Sequence, residues 1–284
     1  MQELCKGLTK TLLPSGATYL RLEHFADPHK DAAWLASVAK EMSGTPDDFE
    51  REILMHRGIF EGEPVIKNYQ DALHCPPKFQ ERRIPLIPGS IFFGTLDCGQ
   101  SIQPAAVLLQ IAPVPFQVHA LQEVISFGGE SMEDFAPRVM DAFMARLPGN
   151  WDEIRYFGDE TVNTRSGSDG RSARIVAKKL GMDIRPVSNN WPKRRAAIEW
   201  LLGRFIDERT PGFLLDAQGC PMLRKALQGG YQWHVAGGGS ARDPNEVVLK
   251  PRKNIYSHIA DAFQYGAVKI RQLVEGSGAA VREY

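Results

Sequence analysis

The sequence predicts an α/β fold in which a mixed sheet of five to eight strands is flanked by helices. Three apolar runs follow one another within residues 91–127, which is typical of strands joined as hairpins. Beyond them, short apolar runs alternate with helix-forming stretches. Residues 1–86 lack strand-rich runs, so we expect a small, mainly helical N-terminal segment ahead of the sheet.

The N-terminal segment is more acidic than the rest of the chain, with eleven basic and thirteen acidic residues in 1–86. Helical patterns cover residues 31–42 and 47–57. A polar, proline-bearing connector follows, HCPPKFQERRIPLIPGS, and its prolines favour a boundary before Ile91. The sequence therefore predicts two parts, residues 1–86 and residues 87–284.

Each element of the second part is predicted from its local pattern. IFFGTLD, AAVLLQIA and FQVHALQEVISF are apolar runs that indicate the three hairpin-connected strands. IRYFGD, DIRPV and FLLD are shorter runs that indicate the later strands. Helices are predicted over residues 132–145, 172–180, 193–208, 220–228 and 256–275. This order is the ribonuclease H-like arrangement, which the pattern alone does not separate from other α/β folds.

Composition excludes several classes of protein. No run of eighteen or more apolar residues occurs, so we expect no membrane span. The first ten residues, MQELCKGLTK, contain no apolar signal region, so secretion is not expected. The four cysteines are far apart and form no Cys-x-x-Cys pair, which argues against a zinc knuckle or a disulfide framework and fits a reducing cytoplasm.

The charge is zero overall but unevenly distributed. Between Arg165 and Arg204 there are ten Lys or Arg residues and three acids, a local excess of seven positive charges. Such a stretch is either a stripe that faces nucleic-acid phosphates or a set of solvated helix faces, and the sequence favours neither.

Three aspartates are the candidate catalytic residues. Asp97 and Asp159 each end an apolar strand, and Asp261 lies near the start of the last helix, where aspartate has a poor intrinsic propensity. Phosphodiester hydrolysis is served by two hard cations roughly 4 Å apart, held by carboxylates from separate elements. The pattern therefore favours Mg²⁺ or Mn²⁺ over Zn²⁺. Because clustered carboxylates repel one another, removal of Asp261 is expected to stabilise the metal-free protein or to leave its stability unchanged.

Each of these residues also has a structural interpretation. A strand-terminal aspartate is often a turn former or a helix cap. Glu160 could replace Asp159 as a ligand, and Asp216, at the end of FLLD, is a fourth candidate of the same chemistry. His258 lies one helical turn before Asp261 and is a metal ligand, a proton shuttle or an ordinary surface histidine.

Five blocks of the sequence resemble, in order, the C-terminal nuclease domain of bacteriophage terminase large subunits. The resemblance covers about residues 87–275, and the closing Ser-His-x-x-Asp-Ala-x-x-Tyr pattern is its most specific part. The stretch HFADPHKDAAWLASVAKEMSGTPDDFEREI resembles the segment that follows the ATPase motor core in the same proteins. The five blocks are GTLDCGQSIQPAAVLLQ, YFGDETVNTRSGSDGRSARIVAKKLGMDIRP, NNWPKRRAAIEWLLGRF, PGFLLDAQGCPMLRKALQGGYQW and KPRKNIYSHIADAFQYG.

The resemblance implies a function and a set of partners. Asp97, Asp159 and Asp261 would be the metal carboxylates, with His258 as a catalytic residue beside them. The implied substrate is double-stranded, concatemeric viral DNA in the host cytoplasm. The implied partners are the portal protein, the small terminase subunit and an ATPase motor domain, with residues 1–86 a remnant that follows the motor core. Candidate phosphate contacts are Lys193, Arg194, Arg195, Lys250, Arg252 and Lys253.

One departure from the family pattern and two alternative functions remain. No Gly-x-x-x-x-Gly-Lys-Ser/Thr phosphate loop occurs, because GLTKT has the wrong spacing, so no ATPase activity is expected from this chain. One alternative keeps the fold and changes the substrate, as in a Holliday-junction resolvase or a ribonuclease H. The other is a non-catalytic packaging-motor fragment that binds DNA or the portal.

Overall fold

The structure, a computed structural model, divides the chain into two compact units, Met1–Glu61 and Gly62–Tyr284, and each is described by itself. This division falls ahead of the boundary expected at residue 86. No described helix is long and apolar enough to cross a membrane. The described residues are 2–5, 8–12, 18–22, 26–27, 29–41, 63–98, 103–126, 129–147, 154–165, 170–236 and 248–276.

The first unit contains a three-stranded antiparallel sheet, which corrects the expectation of a mainly helical segment. Strands β1 (Gln2–Cys5), β2 (Leu8–Leu12) and β3 (Thr18–Leu22) lie in that order. Helix α1 (Ala32–Glu41) agrees with the helix predicted over 31–42, whereas the one predicted over 47–57 lies outside the described residues. The strands were missed because LTKTL and TYLRL are short and contain polar residues, so neither forms an apolar run.

The second unit consists of strands alternating with helices, as the sequence predicts. Its strands are β4 (Ile91–Asp97), β5 (Ala105–Pro113), β6 (Phe116–Ile125), β7 (Arg155–Asp159), β8 (Ile184–Val187), β9 (Phe213–Leu215), β10 (Trp233–Ala236) and β11 (Val248–Pro251). Its helices are α2 (Asp71–His74), α3 (Pro77–Glu81), α4 (Met132–Arg146), α5 (Ala173–Lys179), α6 (Trp191–Gly203), α7 (Pro221–Lys225) and α8 (Ser257–Gly276).

Six of these strands form one mixed sheet, in the order β8-β7-β4-β5-β6-β9. Strands β4, β5 and β6 are an antiparallel meander, while β7, β8 and β9 join it by parallel pairing. The central strands β4 and β5 are buried over nearly their whole length, because helices cover the sheet. The predicted α/β fold with a mixed sheet is therefore confirmed. Strands β10 and β11 form a separate antiparallel ribbon.

Helix α8 lies directly against the sheet, and a glycine allows this. A Cβ atom on Gly266 would lie 2.5 Å from Leu109 Cδ1 and 3.0 Å from Thr95 Cγ2, closer than side chains can pack. Since Thr95 belongs to β4, this contact holds the first turns of α8 beside the end of β4. Position 266 thus fixes where the side chains of α8 meet the sheet.

The proline-bearing connector belongs to the second unit and is anchored by Asp216. This carboxylate follows β9, is fully buried, and accepts hydrogen bonds from Arg83 Nε at 2.8 Å and from the backbone amide of Ile84 at 2.9 Å. Its other oxygen accepts the backbone amides of Gln218 and Gly219. Residues 63–86 are therefore packed with the sheet.

A buried histidine lies in the meander between two glutamines. Gln110 Nε2 donates to His119 Nδ1 at 2.7 Å, and His119 Nε2 donates to Gln117 Oε1 at 2.8 Å. Gln110 is oriented by the backbone amide of Ile87, which donates to its Oε1. This pattern fits the neutral imidazole, and burial lowers the pKa of His119 to about 4.

Candidate active site

Asp97 and Asp159 lie side by side at one edge of the sheet. They end β4 and β7, which are parallel neighbours with Leu96 opposite Gly158. Asp97 is 9% exposed and Asp159 is 6% exposed. Burial raises the pKa of Asp159, and the negative charge of Asp97 raises it further. The fold thus holds two like charges together in the interior.

Thr161 partly offsets this repulsion. Its hydroxyl lies within hydrogen-bond distance of both carboxylate oxygens of Asp159, at 2.7 and 2.8 Å. This contact lowers the pKa of Asp159, against the larger effect of burial. The neighbouring Glu160 begins the 3₁₀ helix Glu160–Asn163 and is exposed. Asp159, not Glu160, is therefore the acid that lies beside Asp97 in the interior.

His258 contacts Asp97 across the gap between α8 and β4. Its Nδ1 lies 2.8 Å from Asp97 Oδ2, and its side chain is half-buried in the first turn of α8. An imidazole in this place orients the carboxylate and is a candidate for proton transfer. The sequence placed His258 beside Asp261, whereas its direct partner is Asp97.

Asp261 is buried and forms ion pairs with two cationic side chains, those of Arg194 and Lys253. Its Oδ1 accepts from Arg194 and, at 3.1 Å, from the hydroxyl of Tyr231. Its Oδ2 accepts from Lys253 Nζ at 2.6 Å. Gln264 Nε2 lies 3.4 Å from Oδ1. Both oxygens are thus engaged by donors, four in all, which is about the number that a carboxylate accepts.

Arg194 is an interior residue, which corrects the expectation that it contacts DNA phosphates. Helix α6 places its guanidinium 5.5 Å from the ring of Trp191 and 4.8 Å from the ring of Tyr265. Burial lowers the pKa of Arg194, but the charge and hydrogen bond of Asp261, together with Tyr265 and Tyr231, outweigh burial and raise the pKa above its ordinary value. The positive charge of Arg194 also lowers the pKa of Asp159.

The three predicted acids all lie close enough to Tyr265 to affect its pKa. Burial raises the pKa of this tyrosine, and the negative charges of Asp97, Asp261 and Asp159 raise it further, while Arg194 lowers it. Tyr265 lies one helical turn after Asp261, so the two project from one side of α8. Because its pKa is raised, the hydroxyl of Tyr265 stays protonated at neutral pH.

The carboxylates of Asp97 and Asp159 suit a divalent cation. The third predicted ligand, Asp261, departs from this pattern, because it is already paired with cationic side chains. Carboxylate oxygens are the ligands that Mg²⁺ and Mn²⁺ prefer, and Asp97 and Asp159 present them next to each other. Asp261 instead accepts from Arg194 and Lys253. Among the residues that the structure describes, no group of three or more His, Cys, Asp or Glu is placed to hold a metal ion.

Comparison with solved structures identifies the fold. The large terminase of a thermophilic bacteriophage matches with a TM-score of 0.52 and 14% identity, over 79% of this chain and 50% of that one. The P22 large terminase nuclease domain matches with a TM-score of 0.51 and 12% identity, over 75% of this chain and 95% of that one. The second unit has the fold of a phage terminase nuclease. The chain spans about half the length of the thermophilic phage protein.

Other comparisons add no further relationship. No protein-family model matches the chain, and no curated protein matches it. The nuclease domain of the bacteriophage SPP1 large terminase, solved with bound Mn, matches at a TM-score of 0.40 and 16% identity, over 67% of this chain and 94% of that one. At this TM-score the match supports no conclusion about the site.

The other residues predicted from the sequence, Asp216 and the basic side chains, are distinguished by their positions and ion pairs. Asp216 follows β9, which lies at the other end of the strand order from β8 and β7, and it is bonded to Arg83 of the connector. The structure therefore does not bring Asp216 to Asp97. Lys193 and Lys250 are exposed, and Arg252 is half-buried. Several other cations of the basic stretch pair with acids. These pairs are Arg171 with Glu133, Arg174 and Lys178 with Asp183, and Arg195 with Glu199.

Sequence reasoning missed the interior partners of the acids. Tyr265 and Thr161 could have been found, because each follows a candidate acid at a spacing that brings side chains together. Arg194 and Tyr231 could not, since they come from elements 67 and 30 residues away from Asp261 in sequence. Their roles depend on how α6 and the turn before β10 pack on α8.

Proposed function

We propose that this chain is a divalent-metal-dependent endonuclease that cuts double-stranded viral DNA during genome packaging. The observation that carries the proposal is the buried pair Asp97 and Asp159 at the ends of neighbouring parallel strands, with Asp261 in the same neighbourhood. Two like charges in the interior are costly for a folded protein. Their presence in a terminase nuclease fold supports a catalytic role over a structural one.

Each residue of the candidate site has its own role in the proposed reaction. Asp97, Asp159 and Asp261 would hold the metal, as Mg²⁺ or Mn²⁺. When bound, the cation supplies stabilisation of the charge that develops on the phosphate oxygens. His258 orients Asp97 and is the candidate for moving a proton at the rim of the site. Tyr231 and Tyr265 remain protonated, because burial raises the pKa of each, so they can donate hydrogen bonds.

The substrate and the partners are part of the proposal. Double-stranded concatemeric DNA, the portal protein, the small terminase subunit and an ATPase motor domain are inferred from the terminase resemblance. Exposed basic residues, among them Lys193, Arg195 and Lys250, are candidates for contacts with DNA phosphates. Residues 1–86 are proposed to follow the motor core in a longer packaging machine, and the host cytoplasm is the proposed location.

A second candidate function is favoured by the ion pairs of Asp261. A carboxylate neutralised by Arg194 and Lys253 has the appearance of a structural residue, as in a non-catalytic fragment that binds DNA or the portal. The two functions differ in whether divalent metal binds at all. Metal binding is therefore the first quantity to measure.

The experiment is cleavage of supercoiled plasmid by the full chain with Mn²⁺, with Mg²⁺ and with excess chelator. We expect nicking and linearisation with either metal and none in chelator. Asp97→Asn and Asp159→Asn should abolish cutting, whereas the matched control Glu160→Gln, next to Asp159 but exposed, should retain it. Cleavage that survives excess chelator would refute the metal mechanism. Greater activity on four-way junctions or RNA–DNA hybrids than on duplex DNA would refute the proposed substrate.

A further inference from the structure

The two cations on Asp261 are held in very different ways. The side chain of Arg194 is 10% exposed, and that of Lys253 is 66% exposed. Arg194 lies on Oδ1, together with the Tyr231 hydroxyl, whereas Lys253 is the donor on Oδ2. One oxygen of Asp261 is thus engaged from the interior and the other from the solvent side.

We propose that Lys253 is an exchangeable counterion that neutralises Asp261 in the metal-free protein and leaves Oδ2 when a divalent cation binds. The inference deepens the proposed metal-dependent nuclease and rests on it. Lys253 was expected from the sequence to contact DNA phosphates. Its ion pair assigns it a different role, which is competition with the metal for one carboxylate oxygen.

The physical reason lies in the cost of removing each cation. Arg194 is packed against the rings of Trp191 and Tyr265, so its departure would require the guanidinium to break an interior ion pair. Lys253 has a flexible, largely exposed stem two residues beyond β11. Its ammonium already lies largely in solvent and regains full hydration when it leaves, whereas the guanidinium of Arg194 does not. Lys253 is therefore the cation that exchanges.

The distribution of the donors shows which one exchanges. Arg194, Tyr231 and Gln264 all lie on Oδ1, which leaves Oδ2 as the oxygen that a divalent cation can reach. Lys253 is the donor described on Oδ2, so a cation that binds there competes with it. Lys253 also carries a positive charge that repels the incoming cation until it moves away.

The test measures Mn²⁺ binding to the full chain by calorimetry in the absence of DNA. Lys253→Gln removes the competing charge, so we expect about two- to fivefold tighter binding than in the wild type, the range that an exposed ion pair contributes. Lys253→Arg keeps a cation with a stronger hold on carboxylates and should bind Mn²⁺ no more tightly than the wild type. The matched control is Lys250→Gln, which removes an exposed charge from the same ribbon; for Lys250 no ion pair is described.

The possible outcomes separate the inference from the proposed function. If Lys253→Gln binds Mn²⁺ no more tightly than the wild type, or Lys250→Gln gains as much, exchange is overturned while the nuclease proposal stands. If neither the wild type nor any variant binds Mn²⁺, both are overturned. In the background Asp261→Asn the Lys253→Gln change should give no gain, because the oxygen for which lysine competes has been altered. A full gain in that background would also overturn the inference.

Discussion

Replacing Asp261 by asparagine is expected to destabilise the metal-free protein strongly. From the sequence, relief of repulsion among three acids predicts increased or unchanged stability, whereas the ion pairs of Asp261 lead to the opposite expectation. Asp261 is the counterion of Arg194 in the interior, where their side chains are 3% and 10% exposed. Asparagine would keep the shape of the side chain but leave the guanidinium charge without a partner.

The magnitude follows from burial. Breaking a buried ion pair by removing one partner costs about 3–5 kcal/mol of unfolding free energy. Arg194 cannot recover hydration easily, because Trp191 and Tyr265 pack against its guanidinium. For a domain of this size, each kcal/mol lowers the melting temperature by about 2–4 °C, so we expect a decrease of about 6–20 °C.

Differential scanning calorimetry in excess chelator measures this effect without any contribution from metal. Lys253→Gln is the matched control, because it removes the exposed cation from the same carboxylate and should cost no more than about 1 kcal/mol. The reasoning is refuted if Asp261→Asn melts at or above the wild-type temperature, or if the two variants lose equal stability. Cleavage assays on Asp261→Asn must then be run well below its melting temperature, so that lost activity is not lost folding.

Two further predictions concern residues outside the site. The pKa of His119 is lowered to about 4 from about 6.5, so the unfolded chain protonates first, and stability present above pH 6.5 is lost as the pH falls towards 4. Denaturant unfolding across this range should show the wild type losing about 3 kcal/mol relative to His119→Leu, and parallel pH profiles would contradict this. Asp216→Asn should lower the unfolding free energy by about 2–3 kcal/mol, because Arg83 and three backbone amides lose their carboxylate. Its cleavage rate per folded molecule should equal that of the wild type, and loss of Mn²⁺ binding would show instead that Asp216 serves the metal site.

The sheet of the second unit could be predicted because its central strands, β4 and β5, are buried on both faces. A strand such as AAVLLQIA must be apolar throughout when helices cover the sheet, and this signal does not depend on distant residues. The first unit gave no such signal, since TYLRL is short and its threonine and arginine interrupt the apolar residues. The connector falls within the second compact unit, and its prolines do not by themselves locate a boundary, because prolines mark turns as readily as they mark domain limits.

The positions of the acids could be predicted, but the interior partners of Asp261 could not. Asp97 and Asp159 carry a local signal, an acid that closes a buried strand. The partner of Asp261 depends on the packing of α6 against α8, which no spacing in the sequence encodes. Arg194 lay within a basic stretch where charge alone suggested a surface, and its burial distinguishes it from its neighbours Lys193 and Arg195.

The charge balance of the site explains why both cations are present. Three carboxylates without counterions would make the interior strongly negative, and folding without metal would then be opposed by their repulsion. Arg194 supplies a permanent positive charge and Lys253 a second, exposed one, which together leave a single net negative charge on Asp97, Asp159 and Asp261. Exchange of the lysine for one divalent cation would bring the balance to zero while Arg194 keeps Asp261 in place. The protein can therefore fold before metal arrives, because two positive charges already offset its carboxylates, and one of these charges lies within reach of solvent.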